Sequence, residues 1–155
     1  MIDYEPLKIV AKDNEDLDII LTLLQDALIP VVSIVFDKEQ KTMTFLTNRF
    51  CWEIPDNTED AYYRVHSGLL FYNVECVHEK NIDQANKKRI LSFLAAKVEV
   101  VDNARYLYLF FSDDACIRMT VSDVKCILAD IDEPWSTQTV PNHFSKKEAS
   151  SGKTL

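Results

Sequence analysis

Apolar residues recur along this chain with two periods, and each change of period marks a new element. Residues 7–11 alternate weakly, which predicts a short first strand. The polar run Lys12-Asp13-Asn14-Glu15-Asp16 then reads as a helix start. Asp13 or Asn14 can accept from an unpaired first-turn amide, and Glu15 and Asp16 place negative charge at the positive end of the helix dipole. Leu17, Ile20, Leu21, Leu24 and Leu28 follow at spacings of three and four, an apolar stripe that Ile19 and Leu23 widen. The helix is expected to end before Pro30, because proline disfavours helical geometry in the residue ahead of it.

From residue 31 the pattern becomes that of strands. Residues 31–37 and 42–52 are β-branched and aromatic on either side of Lys38-Glu39-Gln40-Lys41, which predicts a hairpin. Residues 54–60 contain Pro55, Asp56 and Asn57 and suit a loop. Residues 62–78 read as one long strand, in which Gly68 marks a bulge or bend. Residues 78–88 are a polar connection. Residues 90–101 combine a helix-compatible first half with a strand-like second half, and one strand is the reading adopted. A turn at Asp102-Asn103-Ala104-Arg105 leads to residues 106–111, which have no polar face and predict a strand covered on both sides. Beyond Ser112-Asp113-Asp114-Ala115, Ile117, Met119 and Val121 alternate with Cys116, Arg118 and Thr120, a strand with one wet face. Ser122 or Asp123 then caps a second helix, residues 124–131, on the stripe Val124, Ile127, Leu128 and Ile131.

This order predicts an α+β domain with a mainly antiparallel sheet of about seven strands, an early helix and a C-terminal helix. Such a sheet is expected to curl into a barrel with a helix on one open end, and a pleckstrin-homology-like barrel is one form of it. That likeness rests on element order and implies nothing about lipid binding. A chain of 155 residues can bury enough surface to fold as one domain without metal or disulfide. The domain is expected to span residues 1–143. Residues 144–155 are Ser- and Lys-rich with almost nothing to bury, which predicts a disordered tail.

Composition narrows the function. The chain has 17 Lys+Arg against 25 Asp+Glu, so its average field repels phosphate backbones and anionic membranes. Neither nucleic acid nor membrane is expected as a partner. The one local basic cluster, Lys87-Lys88-Arg89 with Lys80, reads as a solvated turn. The start of the chain has neither the basic residues nor the apolar core of a signal peptide, so a cytoplasmic, reducing location is expected.

Two glycines, Gly68 and Gly152, leave no room for a Walker loop, a dinucleotide GxGxxG turn or a GxSxG elbow. Cys51, Cys76, Cys116 and Cys126 form no CxxC pair and read as free thiols. Cys76 and His78 share a strand face, but two ligands do not make a metal site, and His66 lies too far along the strand to join them. No metal and no cofactor are expected.

The densest group of functional side chains is Asn48-Arg49-Phe50-Cys51-Trp52-Glu53, with Arg49, Cys51 and Glu53 on one face of a strand and Asn48, Phe50 and Trp52 on the other. Arg49 offers a planar fork for a carboxylate or phosphate and Trp52 an anchoring surface. In the structural alternative Phe50 and Trp52 sit in the core and Arg49 pairs with Asp26 or Glu53. Trp135 is expected to fold back over an open sheet edge, and His143 in the same segment has no local nucleophile or carboxylate to mark it as catalytic.

Leu24-Gln25-Asp26-Ala27, Asn48-Arg49-Phe50-x-Trp52-Glu53, and Leu128-Ala129-Asp130 with Trp135 and Pro141-x-His143 together resemble a bacterial family of domain-of-unknown-function proteins, from about Leu7 to His143. The resemblance implies a small single-domain cytoplasmic protein with no assigned activity, and it supplies no catalytic residue. Cys51 departs from the pattern by standing where an acidic residue is usual. A non-enzymatic binding or assembly module, with a protein partner or self-association, is the function expected. The alternative is an anionic small-molecule site, or an enzyme, built on Arg49, Trp52, Glu53, Trp135 and His143.

Overall fold

The computed structural model of the chain describes residues 4–54 and 62–137. Among these lie one α-helix and eleven strands: β1 (Lys8–Ala11), α1 (Asn14–Leu23), β2 (Leu28–Pro30), β3 (Val35–Asp37), β4 (Thr42–Phe50), β5 (Tyr62–Phe71), β6 (Val74–Lys80), β7 (Ile90–Val101), β8 (Ala104–Phe111), β9 (Ala115–Val121), β10 (Cys126–Asp130) and β11 (Trp135–Thr137). Most of the expected 54–60 loop, the 144–155 tail and His143 lie outside the described residues.

Asp13 caps α1, its carboxylate accepting the Asp16 N–H at 2.8 Å. Leu17, Ile20 and Leu24 are buried while Ile19 is exposed, so the apolar stripe is narrower than the sequence suggests. The helix stops at Leu23, before Pro30 could end it. Asp26 takes a positive φ of 61° and its N–H bonds the Phe93 carbonyl at 3.2 Å, which draws the chain into pairing with β7. A 3₁₀ turn, Val31–Ser33, shortens the expected first hairpin strand to β3.

Hydrogen bonds connect the strands in the order β1-β10-β5-β4-β2-β7-β8-β9-β6, with β3 on β4 and β11 on β5. Every pairing is antiparallel. The end strands β1 and β6 do not pair, so the sheet is open and the expected barrel, pleckstrin-homology-like or otherwise, is not formed. β1 has only four residues before the chain leaves for α1, so the first edge offers little backbone for closure. Met43, Phe45, Leu69, Phe71 and Leu128 on one side of β2, and Leu91, Phe93, Leu107, Ile117 and Met119 on the other, join the α1 stripe in one core.

The expected C-terminal helix is instead strand β10. Val124, Cys126 and Leu128 are buried whereas Ile131 is 60% exposed, so the working period is two. A segment of eight residues can satisfy both templates. Its place between β1 and β5, each of which supplies antiparallel partners, decides for strand.

The expected long strand over residues 62–78 is two strands, and the break is not at Gly68. The chain turns at Asn73, whose φ is 61°, between β5 and β6. Gly68 keeps regular register opposite Leu46 and Ala129. Asn and Asp take the part glycine usually plays: of the eight non-glycine residues with positive φ among the described residues, all but Lys41 are one or the other. Asp102 and Asn103 form the two-residue turn between β7 and β8, the pair of left-handed residues that a tight hairpin requires.

β7 is one strand, as expected, with a register irregularity between Phe93 and Ala95. β8 buries Leu107, Leu109 and Phe111, but its other face is only half-covered. Arg118 lies 5.0 Å from the Tyr106 ring centre and Lys97 5.1 Å from that of Tyr108, so long cationic side chains cover that face where a second layer was expected.

A Cβ at Gly68 would lie 4.0 Å from the Ala129 carbonyl oxygen and from Ile131 Cγ2, ordinary contact distances, and the residue has no positive φ. Gly68→Ala is therefore expected to raise stability by about 0.5 kcal/mol through the unfolded chain's lost freedom. Urea unfolding of the two proteins checks this, and a loss of stability would mean that the strand needs glycine here.

Candidate functional site

The inward rows of β4, β5 and β10 change character along the strands. Met43, Phe71 and Cys126 make one apolar row, and Phe45, Leu69 and Leu128 the next. The third row is Thr47, Ser67 and Asp130, and beyond it stands Arg49. Thr47, Ser67 and Arg49 are all fully buried. The Thr47 hydroxyl donates to the Ser67 carbonyl at 3.0 Å.

Arg49 is the largest fully buried side chain of the described residues, and its fork is completely engaged. Nη1 and Nη2 donate to Glu53 Oε1 and Oε2 at 3.0 and 2.9 Å, a bidentate pair. Nη2 also reaches Asp130 Oδ2 at 3.1 Å. Nε lies 3.2 Å from both Ser67 Oγ and Asp130 Oδ1, and the second Nη1 hydrogen faces the Phe50 carbonyl at 3.5 Å. Asp130, whose side chain is also fully buried, accepts in addition from Ser67 Oγ at 2.6 Å, from the Leu7 N–H at 2.9 Å and from the Tyr4 hydroxyl. Burial pushes the Asp130 carboxyl up, Asp132 adds to this, and the Leu7 N–H opposes it.

Glu53 returns over Arg49 because the chain turns after β4, with the Ile54 N–H bonding the Cys51 carbonyl at 3.1 Å. Burial raises its carboxyl, but the hydrogen bonds and charge of Arg49 outweigh that and hold it below its ordinary value. Cys51, beside this pair, is buried, and its thiol is pushed up to about 11 by burial against the lowering effect of Arg49. It is not poised as a nucleophile.

The remaining expected residues do not join Arg49. Trp52 lies on the other face, with its ring 4.7 Å from Phe50 and its Nε1 donating to the Gln25 carbonyl at 3.3 Å. Trp135 begins β11, which pairs with β5 as expected of a returning segment, and its ring lies 4.7 Å from His66 on the outer face. Of the two acids suggested for Arg49, Glu53 is the partner and Asp26 is not among its hydrogen-bond partners. Asp130 and Ser67 were missed. A carboxylate two residues beyond Leu128, continuing the alternation of Cys126 and Leu128, was the available signal, hidden by the helical reading of that segment.

On the outer face, a hollow of about 120 Å³ is lined by Leu28, Pro30, Leu46, Asn48, His66 and Ile90. His66 is fixed there by Asp132, with Nδ1 2.6 Å from Oδ2 and its backbone N–H donating to Oδ1 at 3.1 Å. Thr47 also lines the hollow, with its hydroxyl donating to the Ser67 carbonyl at 3.0 Å. A larger open groove of about 500 Å³, floored by Ile34, Phe36, Met43 and Val77 with His78 and Glu79 at its rim, separates the β3 and β6 edges. Cys76 and His78 are both exposed, and no group of three metal-ligating side chains occurs among the described residues.

Two outcomes follow from the Arg49 geometry. Arg49→Ala leaves Asp130 buried without its counterion and is expected to cost about 3–5 kcal/mol by chemical denaturation. Glu53, held below its ordinary value, contributes stability that is complete above the usual carboxylate range and is lost as pH falls through the lowered value. Glu53→Gln should flatten the acid limb of a stability-versus-pH curve below about pH 5. An unchanged limb would assign the acid sensitivity elsewhere. A third outcome concerns the thiols. Cys76 is exposed and Cys51 and Cys126 are buried, so a maleimide should label Cys76 first in the native protein and Cys51 and Cys126 only on unfolding. Mass spectrometry of peptides after timed labelling reads the order.

Comparison with curated proteins and with solved structures returned no match. The sequence does match, over residues 7–143, the family described as Protein of unknown function (DUF2948). That span takes in β1 to β11, including the Arg49, Glu53 and Asp130 triad, and the chain belongs to this family.

Proposed function

We propose that this chain is a non-enzymatic binding or assembly module that works through its sheet, in a reducing cytoplasm suited to four free cysteines. The observation that carries the reading is the edge of β7 beyond Phe93, whose backbone no described residue bonds on the side away from β8. β7 has twelve residues, and β2 pairs with only Ile90, Leu91 and Ser92 of them. A free strand edge is a ready template for another chain. The anionic-ligand alternative draws no support from Arg49, whose hydrogens are all directed at protein acceptors.

Light scattering on a size-exclusion column, with capture from native lysate, tests the proposal. A species larger than one chain, or a partner retained in stoichiometric amount, is expected. A strict monomer that retains nothing overturns it. Titration with inorganic phosphate should leave the Arg49 guanidinium signals in place, and a saturable shift would revive the small-molecule reading.

A further inference from the structure

We propose that the free edge of β7 pairs with the same edge of a second copy of this chain, antiparallel and centred on Val98, across a two-fold axis. This rests on the binding or assembly reading and names its partner. Phe93 is bonded to Asp26 and Ala27, but from residue 94 to residue 101 no described residue hydrogen-bonds the backbone on the side away from β8. At roughly 3.3 Å per residue this edge is about 26 Å long. It contains neither proline nor glycine, and Leu94, Val100 and Val101 on it are exposed. Native sheets blunt or cover such an edge.

Charge selects the occupant and the register. Lys97 and Glu99 stand one residue either side of Val98 and lie together beside Tyr108. Lys97 Nζ is 5.1 Å from the Tyr108 ring centre, and Glu99 Oε1 accepts the Tyr108 hydroxyl at 3.3 Å. An antiparallel copy centred on Val98 sets Lys97 opposite Glu99 of that copy and Glu99 opposite its Lys97. On the other face Ala96 meets Val100, and Val98 meets its own equivalent. A slip of two residues sets Lys97 against Lys97 or Glu99 against Glu99. A slip of one places each charge against an apolar residue of the opposite face. The edge is thus complementary to itself in one register, the condition for an isologous two-fold contact.

Sedimentation equilibrium of the full chain and of three variants tests this. Lys97 is exposed and Glu99 half-buried, with side chains 54% and 42% accessible, so substitutions there are expected to leave the core intact, and far-UV circular dichroism of each variant checks it. The expected result is a concentration-dependent dimer that K97E or E99K each weakens about tenfold, by turning two attractive pairs into two repulsive ones. The charge-swapped K97E/E99K should return to the wild-type constant. Backbone amides in 94–101 should exchange more slowly as protein concentration rises. A monomeric wild type overturns the proposal, and protected amides in that monomer would show a segment of the same chain on the edge. A dimer indifferent to the single charge changes, or one the double swap does not restore, also overturns it. Either dimer, or a monomer that retains a different partner, leaves the broader binding or assembly reading standing.

Discussion

A guanidinium sealed in a protein core must have every hydrogen answered and its charge matched nearby, because the desolvation cost is otherwise prohibitive. Arg49 meets that condition through acceptors from four places: the Phe50 carbonyl on β4, Glu53 in the turn after β4, Ser67 on β5 and Asp130 on β10. Asp130 in turn accepts from the Leu7 N–H and the Tyr4 hydroxyl. One point therefore ties the start of the chain to three strands and a turn. It also polices register. A one-residue slip of β10 would carry Asp130 to the solvent face and leave Arg49 buried with Glu53 alone.

In the same geometry the richest cluster of functional groups in the sequence is engaged with itself, Arg49 with Glu53 and Asp130. Density of charged and aromatic residues around Arg49 signals a site only if some of their hydrogen-bonding capacity is left for a ligand. Here the acids face inward with the arginine, and the two tryptophans stand on the outer face with Phe50 and His66. Three residues of the stretches that resemble the family, Arg49, Glu53 and Asp130, meet on the inward side.

Openness of the sheet is the second constraint with functional weight. Its end strands are modest liabilities: β1 has four residues, and β6 carries a bulge and several charges. β7 differs because it runs on past its short neighbour β2 and is lateral to the path's ends, so its second half is an edge inside an otherwise paired sheet. The hairpin that makes it so is set by Asp102 and Asn103, which supply the left-handed conformations that this glycine-poor chain cannot take from glycine.

Much of this architecture was legible in the sequence, for local reasons. The α1 cap at Asp13, the hairpin turns, the alternation of Ile117, Met119 and Val121, and the pairing of Arg49 with Glu53 each depend on residues within a few positions of one another. Tertiary structure alone decided what depends on neighbours distant in the chain. Residues 124–131 satisfied both a helical stripe and a strand alternation, and only β1 and β5 on either side made them β10. Residues 62–78 were uniformly strand-like, and only the separate partners of β5 and β6 required a break at Asn73. Closure was not legible either, since it turns on whether two distant edges meet. Sequence periodicity determines which side of an element is apolar, and long-range pairing determines what that side is buried against.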